Sequence, residues 1–275
     1  MQTFWKLRLP VLRTLVFGAC AWALTIPAGA QWLTYPTPGI PRTSDGTPNL
    51  TAPAPRMSDG TADLSGIWLR VLPAIAGPVY TGVTIGPSLR DWMPAGAEIP
   101  MQPWAKALYD QRSASLGAGR PSEQCLPHSI PDAMLPPTVF KFVHTPGLTL
   151  LLYEEFNHYR QIFTDGRSLP PTVQPAWLGY SVGKWERDTF VVESSGFNDQ
   201  TWLDDHGLPR TEAMHTTERF RRIDVGHLEM EVTFDDPKAY SKPWSVTISF
   251  ELQPDTELIE NICENETDNA HSVGK

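Results

Sequence analysis

The chain has 275 residues, 27 of them proline and 20 glycine, with 22 Lys and Arg against 31 Asp and Glu for a net charge of −9. An acidic chain lacks the basic footprint that nucleic-acid binding requires, and it is repelled by anionic lipid. Length and charge together describe a soluble protein of one or two domains.

The first thirty residues read as an export signal. Lys6, Arg8 and Arg13 form a positive start, Leu15 to Ile26 a short apolar core, and Ala28-Gly29-Ala30 a cleavage site of small residues. The mature chain is then expected to begin at Gln31, in the periplasm or outside the cell. Its loss of three cations makes the remainder more acidic still. A membrane anchor and a lipoprotein lipidated at Cys20 are the alternatives, although the apolar run is short for a bilayer. No later segment is apolar for long enough to insert in a membrane.

Residues 31–65 are rich in Pro, Thr, Gly, Ser and Asp and contain an imperfect duplication. Pro41-Arg42-Thr43-Ser44-Asp45-Gly46-Thr47 recurs as Pro55-Arg56-Met57-Ser58-Asp59-Gly60-Thr61. Two copies are too few for a solenoid. The segment is expected to be a tether that lies on the domain or is disordered.

One domain is expected over 66–275, starting from the β-prone run at Leu64 to Leu69. Pro103 opens a short helix that ends before Gly117, since proline suits the first helical turn. Residues 117–137 read as loop around Cys125. Strands follow at 139–143, 148–153, 159–163, 180–185, 190–193, 215–223, 228–234, 244–252 and 257–263. Leu228, Met230, Val232 and Phe234 alternate with Glu229, Glu231, Thr233 and Asp235, the period of a strand with one wet face. About nine strands in successive hairpins predict an all-β fold, an antiparallel up-and-down barrel or strongly curved sheet of lipocalin-like form. A β-sandwich is the alternative.

Of three cysteines, Cys20 leaves with the signal. Cys125 and Cys263 are expected to form one disulfide in an oxidising compartment, worth on the order of 4 kcal/mol in the chain-entropy model. Two buried thiols are the alternative.

The motifs Asp59-Gly60-Thr61-Ala62-Asp63-Leu64-Ser65-Gly66-Ile67-Trp68, Gly179 to Thr189, Gly196-Phe197-Asn198-Asp199 and His215 to Arg219 resemble a large family of secreted bacterial proteins that is mostly uncharacterised. The resemblance spans nearly all of the expected mature chain but implies no activity. Tyr180 stands where the family tends to have His, and Arg187 where it tends to have Gly.

Candidate chemistry centres on the polar strand His215 to Arg222. Period two puts His215, Thr217, Arg219 and Arg221 on one face and Thr216, Glu218, Phe220 and Arg222 on the other. If the first face lines a cavity, His215 is an acid or base, with Glu155 or Asp204 as its carboxylate, and Arg219 is an anion clamp. If it faces water, it is a ladder of ion pairs. Arg160, Tyr180, Trp185 and Trp202 are the other candidate ligand contacts. A Glu from the 154–155 pair is expected to meet Arg160, inside the barrel or at its rim. The oxygen-rich loop 197–206 suits calcium or simple turns. No histidine pair has zinc spacing, so neither metal nor cofactor is expected.

Three functions fit. The first is a secreted barrel holding a small, partly apolar or aromatic molecule. The second is an extracytoplasmic lyase or hydrolase acting on plant-derived or carbohydrate material. The third is an interaction module without a pocket.

Overall fold

The computed structural model describes residues 35–73 and 87–263, so the export signal lies outside the described residues. From Thr37 onward the chain forms one compact unit. Nine strands close a barrel in chain order: β1 (Gly66–Arg70), β2 (Phe140–Thr145), β3 (Leu148–Tyr153), β4 (Tyr159–Phe163), β5 (Tyr180–Glu186), β6 (Thr189–Ser195), β7 (His215–Arg222), β8 (His227–Asp235) and β9 (Trp244–Leu252). Closure pairs β9 with β1, Trp68 opposite Leu252. An odd number of strands cannot alternate in direction all the way round. The mismatch falls between β4 and β5, which run parallel, Ile162 opposite Ser181, after the connection 164–179. Successive hairpins were expected throughout; here the connection replaces a tight turn.

The expected tenth strand at 257–263 is not a strand; Asn261 alone bridges, to Glu155. Trp244–Leu252 already has partners on both edges, β8 and β1, so no hairpin forms at Gln253-Pro254-Asp255-Thr256. Asp255 instead binds Arg42 and the Thr37 backbone.

The tether lies on the domain. Its sequence duplication is a structural one: Arg42 donates to Gly46 O at 2.9 Å and Arg56 to Gly60 O at 2.8 Å, each closing a small loop with its own β-bridge. Ala52 and Leu50 accept from Val225 and Gly226 in the β7–β8 turn. Arg222 reaches the Asp63 and Ser65 carbonyls. The segment therefore covers the barrel end that carries the 145–148, 186–189 and 222–227 turns. In one of these, Arg187 adopts the left-handed φ of 57° that a glycine takes without strain.

The barrel is packed through its middle. Phe142 of β2 meets Phe220 of β7 edge to face at 5.2 Å, and Phe140 meets Phe250 of β9 at 5.1 Å, so rings from non-neighbouring strands touch across the interior. Strand β7 presents Thr216, Glu218, Phe220 and Arg222 inward, all buried. Glu218 pairs there with Arg160, whose guanidinium also donates to Ser181 at 3.0 Å and Ser194 at 2.9 Å. Neither Glu154 nor Glu155 is its partner.

His144, on β2 near the tether end, bonds Thr149 through Nδ1 at 3.0 Å, while its Nε2 is buried without a partner. Burial holds its pKa below the usual value, against the opposing pull of Asp63 and Asp59. The folded state thus keeps the neutral ring. As pH falls below about 6.5 the unfolded chain takes up the proton first, so stability is lost from there down through the depressed folded pKa. Replacing His144 with Leu is expected to flatten this acid-side loss in urea titrations between pH 7.5 and 5. Identical slopes in the two proteins would rule His144 out as a contributor.

Candidate functional site

The other end of the barrel carries the long connections. The starts of β2, β4, β5, β7 and β9 and the ends of β3, β6 and β8 meet there by register. Helix α1 (Pro103–Ala114) and the segments 115–137 and 197–213 are built over it. α1 begins at a proline as expected and ends in a turn where Gly117, at φ 70°, lies against the Asp205 carbonyl. A Cβ at Gly117 would sit 2.2 Å from that oxygen, so only glycine permits this approach. From the same helix, Arg112 lies over the Trp202 ring at 4.3 Å. These contacts fix the 202–207 loop. The Cys125–Cys263 disulfide, with Cα atoms 5.5 Å apart, holds the start of the 125–137 segment to the chain's last described residue.

Between the two segments lies a crevice lined by Pro121, Ser122, Pro127, His128, Asp132, Thr201, Trp202 and Asp205. The space in it for water-sized molecules is about 10 Å³, enough for about one water. His128 is at the centre. Its Nδ1 donates to Glu155 Oε1 at 2.6 Å, which turns Nε2 toward Asp205 Oδ1 at 3.3 Å and Asp132 Oδ2 at 3.8 Å. Glu155 is held in turn by His158, 3.6 Å away. Ser122 and Arg120 approach Asp205 at 3.4 and 3.6 Å, and Arg120 also binds Glu123.

Burial works against charge on His128, but Asp132, Asp205 and Glu155 together outweigh it and hold the imidazole well above its usual pKa. Burial likewise pushes Asp132 well above the carboxylate range, only partly offset by His128. Glu155 is also penalised by burial, yet the hydrogen bond from His128 and the nearby His158 ring bring it below its usual value. One end of the barrel thus holds an oriented imidazole, an ionised carboxylate behind it and a buried carboxyl beside it. Such an arrangement can transfer protons or bind a cation.

Of the residues expected from sequence, Glu155 and Trp202 are at this site. Asp204 is adjacent but fully buried, accepting from the Leu89 and Leu208 N–H groups and the Ser88 hydroxyl, so it anchors backbone. Arg160 is in the barrel interior with Glu218. Tyr180 accepts from Arg167 at 3.0 Å and stacks on Phe163. Trp185 packs on Phe190 against the core. The structure does not bring His215 or Arg219 to the site. His215 is exposed opposite Asp235, and Arg219 pairs with Glu186 at 3.0 Å on the outer wall. The proposed pocket face of β7 is its wet face, because the Phe220 face supplies the buried packing.

His128 and Asp132 were missed, and Asp205 was noticed only as part of the oxygen-rich loop 197–206. Their signal was a His-x-x-x-Asp spacing in a Pro-rich loop beside Cys125, together with an Asp-Asp-His run after Trp202. Comparison with protein-family models, with curated proteins and with solved structures found no match to this chain.

Proposed function

We propose that this protein is an extracytoplasmic enzyme, a hydrolase or lyase, whose reaction takes place in the crevice around His128. The observation that carries the reading is the Glu155–His128 hydrogen bond, which fixes the imidazole with Nε2 toward Asp205 and Asp132 in the crevice. A carboxylate that orients a histidine in this way prepares it for general-base and general-acid work. Because the neighbouring carboxyl groups keep the imidazole protonated, Nε2 acts first as general acid, giving its proton to the leaving group, and then recovers one from the attacking water. Carbohydrate and plant-derived material are the substrate classes to be screened first. The acidic exterior, the disulfide and the leader-like first thirty residues support a place outside the cytoplasm.

The test is a panel of glycosides, polyuronates and esters incubated with the mature protein, with products read by mass spectrometry. Product release is expected for at least one class and should fall about 100-fold in Glu155→Gln. Turnover indifferent to that substitution would remove the crevice from the mechanism.

Ligand binding without chemistry is the second reading. It is favoured by a groove of about 340 Å³ on the outer wall, lined by Arg167, Leu169, Val182, Lys184, Val191 and Glu193, which is in the size range of small-molecule sites. A ligand whose affinity depends on Lys184 and Val191, and not on His128, would establish it.

A further inference from the structure

We propose that His128 Nε2, Asp132 and Asp205 bind a divalent transition-metal cation of the zinc class at the crevice floor. One donor atom from each residue lies within 4.8 Å of the other two, with Nε2 3.3 Å from Asp205 Oδ1 and 3.8 Å from Asp132 Oδ2. Zinc ligands about 2.0–2.2 Å from the metal sit about 3.3–3.6 Å apart around a tetrahedron. The Nε2–Asp205 separation already matches this, and the three donors, within 4.8 Å of one another, would draw together by about 1 Å or less on binding an ion. One imidazole with two carboxylates suits zinc or manganese better than the all-oxygen cages of calcium.

Asp132 gives the independent indication. Its side chain is only 7% exposed. It lines the crevice, and its nearest cationic partner is His128 at 3.8 Å. No hydrogen-bond donor reaches its carboxylate among the described residues. With no protein donor, this largely buried carboxyl group opens only onto the crevice, where a cation would favour its charged form. Behind the imidazole, Glu155 accepts from Nδ1 at 2.6 Å, the outer-shell bond that metal-ligating histidines ordinarily make. Thr201 and Trp202 line the same crevice, which has room for about one water. Protein ligands on three corners and solvent on the fourth is the pattern of catalytic rather than structural zinc.

This inference rests on the proposed function for the place of the chemistry and changes the part His128 plays there, from acid and base to ligand. A zinc ion at this point lowers the pKa of a bound water toward neutrality.

The experiment is calorimetric titration of the EDTA-stripped, disulfide-bonded mature protein with zinc chloride. One ion per chain is expected. Asp132→Asn and His128→Gln should each weaken binding by more than about 100-fold, and Glu155→Gln by about 10- to 100-fold. His215→Gln, on the outer wall, should bind as the wild type does. Apo Asp132→Asn should melt no lower than the apo wild type, which separates ligand loss from misfolding. Failure to bind one zinc per chain, or equal affinity in Asp132→Asn, overturns the site. Zinc bound at the crevice with no turnover on any substrate would leave the metal site standing and remove the enzymatic reading. His128-dependent turnover in a chain that binds no zinc would do the reverse.

Discussion

Truncating Glu218 to Ala is expected to destabilise the protein by about 3–5 kcal/mol, measured as a lower urea midpoint. Arg160 and Glu218 are both buried in the barrel interior, with side chains 1% and 0% exposed. Removing the carboxylate leaves a guanidinium in an apolar interior with neutral hydroxyls, those of Ser181 and Ser194 among them, in place of its counter-charge. The attraction of the pair roughly repays the cost of its desolvation, so the loss comes mainly from the charge left behind. Replacing both residues with apolar ones of similar volume is therefore expected to recover most of the stability. Arg219→Ala, one position away on β7, removes an ion pair with Glu186 whose side chains are each more than 40% exposed, and should shift stability by less than about 1 kcal/mol. Equal effects at positions 218 and 219 would mean that the two faces of β7 are wrongly assigned.

Loss of the Cys125–Cys263 bridge is the other large effect. The bridge spans 138 residues, for which the chain-entropy model gives about 5 kcal/mol, and removing a native disulfide typically costs about 2–5 kcal/mol. Cys125→Ser should fall in that range. It should also loosen the crevice, because Cys125 precedes His128 by three residues and its partner lies two residues beyond Asn261, which bridges to Glu155. Thiol titration of the unfolded, unreduced mature protein should find no free cysteine; two free thiols per chain would refute the bridge.

Most of the fold was legible because strands with one buried face announce themselves by period two. Leu228 to Asp235 and Trp244 to Leu252 alternate without a break, and both are strands with the apolar residues inward. The parallel β4–β5 pair was not legible, because it follows from the count of strands in a closed ring, which no local pattern records. The site was harder to read. Period two divided β7 correctly into His215/Arg219 and Glu218/Arg222 faces but could not say which is inside. The polar residues His215 and Arg219 drew attention, although Phe220 on the opposite face was the better guide to the interior. Glu155 and Trp202 were found because they stand at strand ends and in an oxygen-rich loop. His128 and Asp132 lie in a segment with no periodicity, positioned by the disulfide and by the close approach of Gly117 to Asp205, both of them long-range contacts.

The claim that the His128 crevice is the working site is tested most directly by steady-state kinetics of His128→Gln on the substrate that the screen identifies. A fall in kcat/KM of at least about 100-fold is expected, with the disulfide intact and the melting transition still cooperative, while His215→Ala and Arg219→Ala leave kcat/KM unchanged. A folded His128→Gln protein that turns substrate over as fast as the wild type would contradict the account.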